Sequence, residues 1–293
     1  MNNPALTRKP RDDELDVFGL THPGNVRPNN EDQFLVATIH KRFDMLSTSL
    51  PDRQRLTMSD ERLAVLLMVA DGVGGLSGGE EASATALEVA MQYVNHSMNC
   101  YYSANSSDAP FIEELQAAAM HAHEAVVAKS GMEGRKGRMA TTLTLWMGVW
   151  PNCYLLQVGD SRYYLWRQGT LTQVSRDQTI AQDLVDQGVM TRTAAKRSQF
   201  ANVLSSALGA DEATPVVTRL KSEWGAVHLL CSDGLTKHVS DERLAERLAA
   251  MTSAKELCEQ LLQDALDGGG TDNITIIVGR AVPKEGEEVK AKR

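Results

Sequence analysis

Short runs of apolar residues recur along the chain, and each is bounded by polar or turn-forming residues. Runs of this length and setting are typical of buried β-strands. The predicted strands cover residues 63–70, 142–149, 153–158, 227–231 and 274–278. A further apolar stretch, residues 33–37, follows an acidic pair.

Between some of these strands, apolar residues recur at helical spacing. Residues 80–96 and 110–129 each carry alanine, leucine and valine at intervals that line one face of a helix. A third helix is predicted to begin after Ser253, because Ser253 and Glu256 have the spacing of a capping box, and to end near Gly268.

The order of these elements indicates the fold class. Strands come in neighbouring groups and helices in pairs, unlike the regular alternation of a doubly wound parallel sheet. The pattern therefore predicts an α/β protein of the α+β type, with antiparallel sheets covered by helices. Residues 1–16 and 282–293 are polar or charged and are predicted to be a flexible segment and a charged tail. Residues 40–62 and 177–211 lack a regular pattern, and we expect one domain over residues 17–281.

Composition restricts the class of function. The chain has 293 residues, 42% of them hydrophobic and 23% charged, which suits a globular protein with a sizeable core. Its net charge of -8 disfavours a nucleic-acid partner, since phosphate-backbone binding needs clustered lysine and arginine. No apolar run approaches the ~20 residues of a membrane span, and the start lacks the apolar middle of a signal peptide. We therefore expect a cytoplasmic protein with no membrane partner, and a monomer.

The four cysteines, Cys100, Cys153, Cys231 and Cys258, are far apart and form no C-x-x-C pair. Reduced thiols are the expectation, and a zinc site is disfavoured.

Acidic residues stand at the ends of the predicted strands. Asp71 follows residues 63–70, Asp160 follows 153–158, and Asp233 follows 227–231. Asp272 comes just before residues 274–278, and Glu31 and Asp32 come just before 33–37. One aspartate at such a position is as readily a turn-former, but several carboxylates at partly desolvated strand ends need a cation.

The chemistry around these acids narrows the choice of cation. Oxygen ligands without neighbouring histidine or cysteine favour Mg²⁺ or Mn²⁺ over zinc. Arg27 offers a forked guanidinium for a phosphate group, and Gly72 lies in a glycine-rich turn through which backbone can approach a metal or phosphate. Together they suggest hydrolysis of a phosphate ester by metal-activated water.

These residues resemble the type 2C, metal-dependent serine/threonine protein phosphatases, particularly their bacterial branch. The match runs in the family's order from about residue 18 to residue 278. Its pieces are Thr21-His22-Pro23-Gly24, Arg27-Pro28-Asn29-Asn30-Glu31-Asp32, Val69-Ala70-Asp71-Gly72-Val73-Gly74-Gly75, Ala140-Thr141-Thr142-Leu143, Val158-Gly159-Asp160-Ser161-Arg162, Ala207-Leu208-Gly209, Ser232-Asp233-Gly234-Leu235 and Gly270-Thr271-Asp272-Asn273.

The resemblance implies a fold and a chemistry. The fold is a sandwich of two antiparallel sheets flanked by helices on both sides. The reaction is hydrolysis of phosphoserine and phosphothreonine in proteins by a water that two Mn²⁺ or Mg²⁺ ions activate. Phosphoproteins are then the partners, with a serine/threonine kinase acting on the same substrates.

The resemblance also implies roles for single residues. Asp71 is the carboxylate that bridges two metals, and Gly72 offers its carbonyl to one of them. Asp233 and Asp272 are ligands of the other metal. Arg27, Asp71 and Asp233 are the catalytic set, and Arg27 binds the phosphate.

The remaining implied ligands are less direct. Glu31 and Asp32 hold metal-bound waters, and Asp160 is a ligand of a third, weaker metal.

The chain departs from the family pattern in places. Lys237 stands where the family often has an acid that helps bind the third metal, so we expect that metal to be weak or absent. Val73 replaces a histidine found in many eukaryotic members, which leaves the general acid unassigned. Gln178 stands where bacterial members often have histidine.

Other functions are compatible with the same fold. A phosphatase-fold binding protein without turnover is the main alternative, although the intact acidic set argues against it. A phosphatase of small molecules, or of a regulatory protein in a partner-switching system, would have the same sequence features as a general phosphoprotein phosphatase. A nuclease would need a basic groove, which the acidic balance disfavours.

Overall fold

The computed structural model describes residues 8–42, 47, 60–73, 78–97, 108–131 and 139–284. The strands within them are β1 (Leu15–His22), β2 (Asp32–Arg42), β3 (Asp60–Val73), β4 (Ala140–Thr141), β5 (Leu143–Val149), β6 (Asn152–Val158), β7 (Arg162–Arg167), β8 (Thr170–Gln173), β9 (Val216–Lys221), β10 (Val227–Cys231) and β11 (Ile274–Ala281). The α-helices are α1 (Gly78–His96), α2 (Asp108–Ser130), α3 (Ile180–Asp186), α4 (Arg192–Ala195), α5 (Asp233–Thr236), α6 (Asp241–Ala249) and α7 (Ala254–Asp267).

The strands form two antiparallel sheets. One has the order β1-β11-β10-β7-β8, and the other has the order β2-β3-β5-β6-β9, with β4 paired to the end of β3. Helices α1 and α2 cover the second sheet, whereas α7 packs on β1 and β11 of the first. The implied sandwich of two antiparallel sheets flanked by helices is confirmed.

Strand β3 shows how the layers are held together. Successive side chains of a strand point to opposite faces. Leu66 and Met68 pack into the cluster beneath α1 and α2, whereas Leu67 and Val69 pack between the two sheets. Because both faces are buried, the strand is a continuous apolar run, and each such side chain contributes about 1.5–3 kcal/mol of burial free energy.

The predicted strands agree closely with the structure at the centre of each sheet. The segments 227–231 and 153–158 correspond to β10 and β6. Strands β1, β7, β8 and β9 were not predicted. Strands β8 and β9 lie at sheet edges and β1 is only partly buried, so they lack the uniform apolar run of a central strand.

The third helix begins as predicted, but with half of the capping box. The Ser253 hydroxyl accepts a hydrogen bond from the Glu256 backbone N–H at 3.2 Å. The Glu256 carboxylate instead accepts a hydrogen bond from the Thr252 hydroxyl. The helix ends at Asp267, and Gly268 follows as its C-cap.

The described part of the segment predicted to be flexible, residues 8–16, packs against the domain. The buried Glu14 carboxylate accepts hydrogen bonds from both guanidinium nitrogens of Arg8, at 2.7 and 2.5 Å. Strand β1 already begins at Leu15, where it pairs with Ala281 of β11. The ordered chain therefore extends in front of residue 17, because a buried acid and a strand pairing hold this segment.

Two other predicted irregular regions differ in outcome. The stretch 40–62 is partly regular, since β2 continues to Arg42 and pairs with the start of β3 at Asp60. Residues 43–46 and 48–59 lie outside the described ranges. The stretch 177–211 is a mixture of short helices and turns, as expected.

At the end of the chain, Lys284 of the predicted charged tail forms an ion pair with Asp13 at 2.7 Å, and residues 285–293 lie outside the described ranges. Cys153, Cys231 and Cys258 are buried free thiols, as predicted, whereas Cys100 is not described. Every described helix is too short or too polar to cross a membrane.

Candidate active site

The acids predicted from the sequence meet at one end of the sandwich. The antiparallel register of β2 and β3 places Asp32 directly opposite Asp71. In the other sheet, β10 ends just before Asp233 and β11 begins just after Asp272. Because these two strands are antiparallel neighbours, both carboxylates emerge at the same edge.

Asp32 is the most deeply buried of these acids, with 1% of its surface exposed. Its Oδ2 accepts hydrogen bonds from the Ser232 and Thr275 hydroxyls, both at 2.7 Å. Its Oδ1 has no hydrogen-bond partner among the described residues. Burial raises the pKa of Asp32 to about 7, against the two hydroxyls that favour the anion.

Asp71 is fixed through its backbone at the end of β3. Its N–H donates to the Thr142 hydroxyl at 2.9 Å, and its carbonyl accepts from the Thr142 N–H at 2.9 Å. Burial raises the pKa of the Asp71 carboxyl well above its ordinary value, and the carboxylates of Asp32 and Asp233 add to this effect. The pKa of Asp71 is thus raised by carboxylates from both sheets.

Gly72 occupies a position that no larger residue fits. A Cβ built on Gly72 would lie 2.2 Å from the Gly79 carbonyl oxygen and 2.7 Å from that of Glu31. The backbone of Gly72 also donates its N–H to the Glu31 carbonyl at 3.2 Å. The start of α1 therefore packs directly on the strand end that carries Asp71.

Lys237 joins the two acids of the first sheet. Its Nζ lies 2.6 Å from Asp233 Oδ2 and 2.6 Å from Asp272 Oδ2. Burial raises the pKa of Asp233, and Lys237 offsets only part of that rise. Burial also opposes the ionisation of Asp272, but Lys237 and Arg27 hold the pKa of Asp272 below its ordinary value.

Arg27 lies on the exposed loop before β2 and reaches the same acid. Its Nε is 2.8 Å from Asp272 Oδ1, and its Nη2 donates to Asp272 Oδ2 at 3.1 Å. The guanidinium is about half exposed, so its outer nitrogens remain accessible from solvent. The structure thus places Arg27 beside the acids, through Asp272.

Asn273 holds the Arg27 loop in place. Its side-chain amide donates to the backbone carbonyls of Pro23 and Asn29, and its oxygen accepts from the Glu31 N–H at 2.8 Å. Burial raises the pKa of the Glu31 carboxyl, which Arg27 partly counteracts. Glu31 therefore belongs to the same electrostatic cluster.

Asp160 lies in the turn between β6 and β7. Burial raises its pKa to about 7, with further contributions from the carboxylates of Asp233 and Asp177. The side chain of Gln178 accepts a hydrogen bond from the Gly159 N–H at 2.7 Å, and the Gln178 N–H donates to the Gly159 carbonyl at 3.1 Å. Gln178 thereby anchors this turn to the start of the 177–211 segment.

The donor chemistry of this cluster fits hard divalent cations. It offers carboxylates and backbone carbonyls, an orphaned buried Asp32 oxygen, and several acids whose ionisation is opposed by burial and, to a smaller extent, by neighbouring carboxylates. Within the described ranges, no three acidic, histidine or cysteine side chains converge closely enough to hold a metal as they stand.

Sequence reasoning missed the residues that support the acids. Ser232, Thr142 and Asn273 are buried polar residues that the sequence shows only as parts of motifs, and Thr275 is a buried hydroxyl within the apolar run 274–278. A buried hydroxyl in a β-strand needs a partner, so Thr275 in the run 274–278 carried a usable signal. Its partner, Asp32, lies 243 residues away and was not deducible from the pattern.

Comparisons with known proteins identify the family of this chain. A family model described as "Protein phosphatase 2C" matches residues 46–268. The serine/threonine protein phosphatase PstP of Mycobacterium tuberculosis is 35% identical over 75% of this chain, and the match spans 41% of that relative's length. The serine/threonine phosphatase stp of Listeria welshimeri is 28% identical over 73% of this chain and 83% of its own length.

A solved structure extends the likeness to the whole fold. The catalytic domain of PstP, in complex with two manganese ions, superposes with a TM-score of 0.70 at 31% identity. The superposition covers 92% of this chain and 99% of that one. The family model spans more than half of the chain, and the solved relative carries the same fold. The chain belongs to the protein phosphatase 2C family.

Proposed function

We propose that this protein is a metal-dependent phosphatase of phosphoserine and phosphothreonine in proteins. The observation that carries the proposal is the meeting of Asp32, Asp71, Asp233 and Asp272 at one end of the sandwich, with Arg27 on its open side. Burial and neighbouring carboxylates oppose the ionisation of Asp32, Asp71 and Asp233, which marks a site built for cations, and the guanidinium beside them suits a phosphate.

The cluster has more negative than positive charge when ionised. Its carboxylates are Glu31, Asp32, Asp71, Asp160, Asp233 and Asp272, whereas its cations are Lys237 and Arg27. Two divalent ions would balance the difference. We propose Mn²⁺ or Mg²⁺ at two sites, and a third site at Asp160 that is weak or absent.

Each acid has a role in this proposal. Asp71 and the Gly72 carbonyl would hold the first cation, with Asp71 shared, and Asp233 and Asp272 would hold the second. Glu31 and Asp32 would orient water through hydrogen bonds. When bound, the cations would supply the positive charge that activates water for attack on phosphorus.

Arg27 would bind the substrate. Its guanidinium is positioned by Asp272 and is exposed on its outer side, so it offers two parallel N–H donors to phosphoryl oxygens. This contact orients the ester and stabilises charge that grows on those oxygens. The Asn273 contacts keep the Arg27 loop in register with the acids.

The proposed partners are phosphorylated proteins and a serine/threonine kinase that acts on them. The proposed domain spans residues 17–281 together with the packed residues 8–16. Cytoplasmic location and a monomeric state stay predictions from the sequence.

Phosphatase assays test the proposal. Purified protein stripped of metal should hydrolyse an aryl phosphate and a phosphothreonine peptide only after Mn²⁺ or Mg²⁺ is added. Asp71→Asn should lower kcat by about 10³-fold, because several kcal/mol of charge stabilisation are lost with the metal. Asp267→Asn, an exposed acid at the end of α7, is the matched control and should behave as wild type. Full turnover by metal-free protein would contradict the proposal.

Substitution of Arg27 tests the phosphate contact separately. Arg27→Ala should raise KM, and should lower kcat as well if the contact strengthens in the transition state. Arg27→Lys should restore only part of the loss, since an ammonium cannot make the forked contact. An unchanged kcat/KM in Arg27→Ala would refute this role.

The Lys237 bridge is the one observation that favours the alternative, a binding protein of this fold with weak or no turnover. Such a protein would bind phosphopeptide but release little or no phosphate at any metal concentration. The peptide assay, run up to millimolar manganese, separates the two functions.

A further inference from the structure

The two acids that Lys237 bridges are held rigidly with respect to each other. A Cβ on Gly234, the residue after Asp233, would lie 1.9 Å from the Asn273 carbonyl oxygen, so the backbones on either side of the bridge are in direct contact. The Ser232 N–H also donates to the Thr275 carbonyl at 3.0 Å. The acids therefore cannot separate without unpacking this edge of the sheet.

Lys237 is the movable partner. It lies one helical turn after Asp233, directly past the last residue of α5, and its backbone N–H donates to the Asp233 carbonyl at 2.9 Å. Its side chain is 27% exposed, against 19% for each of the acids. Its long unbranched stem can turn its ammonium outward to solvent while the backbone stays in place.

The ammonium occupies the position that a shared cation would need. Its Nζ contacts Oδ2 of both acids at 2.6 Å, so an ion held by the same two oxygens would have to take its place. Both ion pairs of Lys237 within the described ranges go to these acids, and the two groups proposed for the first cation, Asp71 and Gly72, lie on β3 in the opposite sheet. Competition should therefore fall on one cation and spare the other.

We propose that Lys237 is a tethered counter-cation of Asp233 and Asp272, which stabilises the metal-free site and must be displaced before the second metal binds. The inference rests on the proposed function, since it concerns the same metal centre. It assigns the protein a stepwise loading: a first ion at the Asp71 side binds tightly, and the second binds weakly. Activity then rises with the free manganese concentration over the range in which the second ion binds.

Calorimetric titration of the metal-free full chain with manganese tests this. Wild type should show two unequal binding events. Lys237→Met keeps the apolar stem and removes the charge, and should lower the Kd of the weaker event at least tenfold, about 1.4 kcal/mol. Lys237→Arg keeps the charge and should stay close to wild type. Lys255→Met makes the same change of net charge at a lysine that is 64% exposed on α7, and should change neither event.

Thermal melting supplies a second readout that a merely structural lysine would not produce. In chelator, Lys237→Met should melt below wild type, because two neighbouring carboxylates lose their shared cation. In saturating manganese it should melt at or above wild type. Melting below wild type by the same amount in both conditions would overturn the inference. If Lys237→Met does not fold without metal, Lys237→Gln carries the same test.

The outcomes separate the inference from the function on which it rests. Equal manganese affinities for wild type and Lys237→Met would overturn the inference and leave the phosphatase function standing. No manganese binding by either protein would contradict the metal-dependent function, and the inference with it.

Discussion

Asp32→Asn should stabilise the metal-free protein at alkaline pH, although the same change weakens the proposed active site. Asp32 is 1% exposed, and burial raises its pKa from the ordinary 3.8 to about 7. Between these two pKa values the folded state therefore holds a proton that the unfolded chain has lost. Stability from this group is fully present below pH 3.8 and is lost as the pH rises through about 7.

The size of the effect follows from the gap between the two pKa values. At about 1.4 kcal/mol per pH unit, the buried carboxylate costs the folded state at most about 4 kcal/mol at pH 8, and about 2 kcal/mol at pH 5. The neutral amide introduced by Asp32→Asn avoids this cost. It leaves an N–H₂ group where the Asp32 oxygen already has no partner among the described residues, which costs about 1–3 kcal/mol. The net gain at pH 8 should be about 1–3 kcal/mol, and it should vanish or reverse at pH 5.

Urea denaturation in chelator, at pH 8 and at pH 5, measures this difference directly. Asp267→Asn, exposed on α7, is the control and should show no gain at either pH. The reasoning would be refuted if Asp32→Asn were no more stable than wild type at pH 8, or if its gain were the same at both pH values. In manganese the order should invert at pH 8, because only wild type keeps the full ligand set.

Three further predictions concern packing, the first in the core between the sheets and the other two at the site. Burial lowers the pKa of His228 from 6.5 to about 4, so between these pH values the unfolded chain binds a proton that the folded protein does not. The free energy of unfolding should therefore fall by up to about 3 kcal/mol as the pH drops from 6.5 to 4. In urea denaturation, His228→Leu should reduce this dependence on pH, and an unchanged dependence would contradict the prediction. Gly234→Ala places a Cβ 1.9 Å from a backbone oxygen, and should lower the melting temperature and weaken manganese binding. A melting curve like that of wild type would show that the backbone at this edge of the sheet can shift to accommodate the methyl group. Asn273→Ala removes three hydrogen bonds and should lower the free energy of unfolding by about 2–4 kcal/mol. It should also raise KM for an aryl phosphate, because the Arg27 loop is held less firmly. A loss of stability with KM unchanged would limit Asn273 to a structural role.

Local patterns predicted the central strands and the long helices well. A strand buried on both faces is a continuous apolar run, and a helix buried on one face has apolar residues at helical spacing. Strand β10 was predicted residue for residue, and α1 and α2 to within two residues of each end. The edge strands β8 and β9 contain no buried position, so their sequences resemble those of loops. Their pairing is specified by the neighbouring strand, not by their own residues.

The candidate site divides in the same way. The sequence by itself determined which residues are candidates for the chemistry, because acids at the ends of apolar strands and one arginine in a polar loop are visible in the sequence alone. Tertiary structure alone decided that Asp32 faces Asp71, that Ser232 and Thr275 share one oxygen of Asp32, and that Lys237 bridges Asp233 and Asp272. The physical reason is that burial, pKa and ion pairing depend on distance in space, and most of these contacts join residues that the chain separates by tens to hundreds of positions.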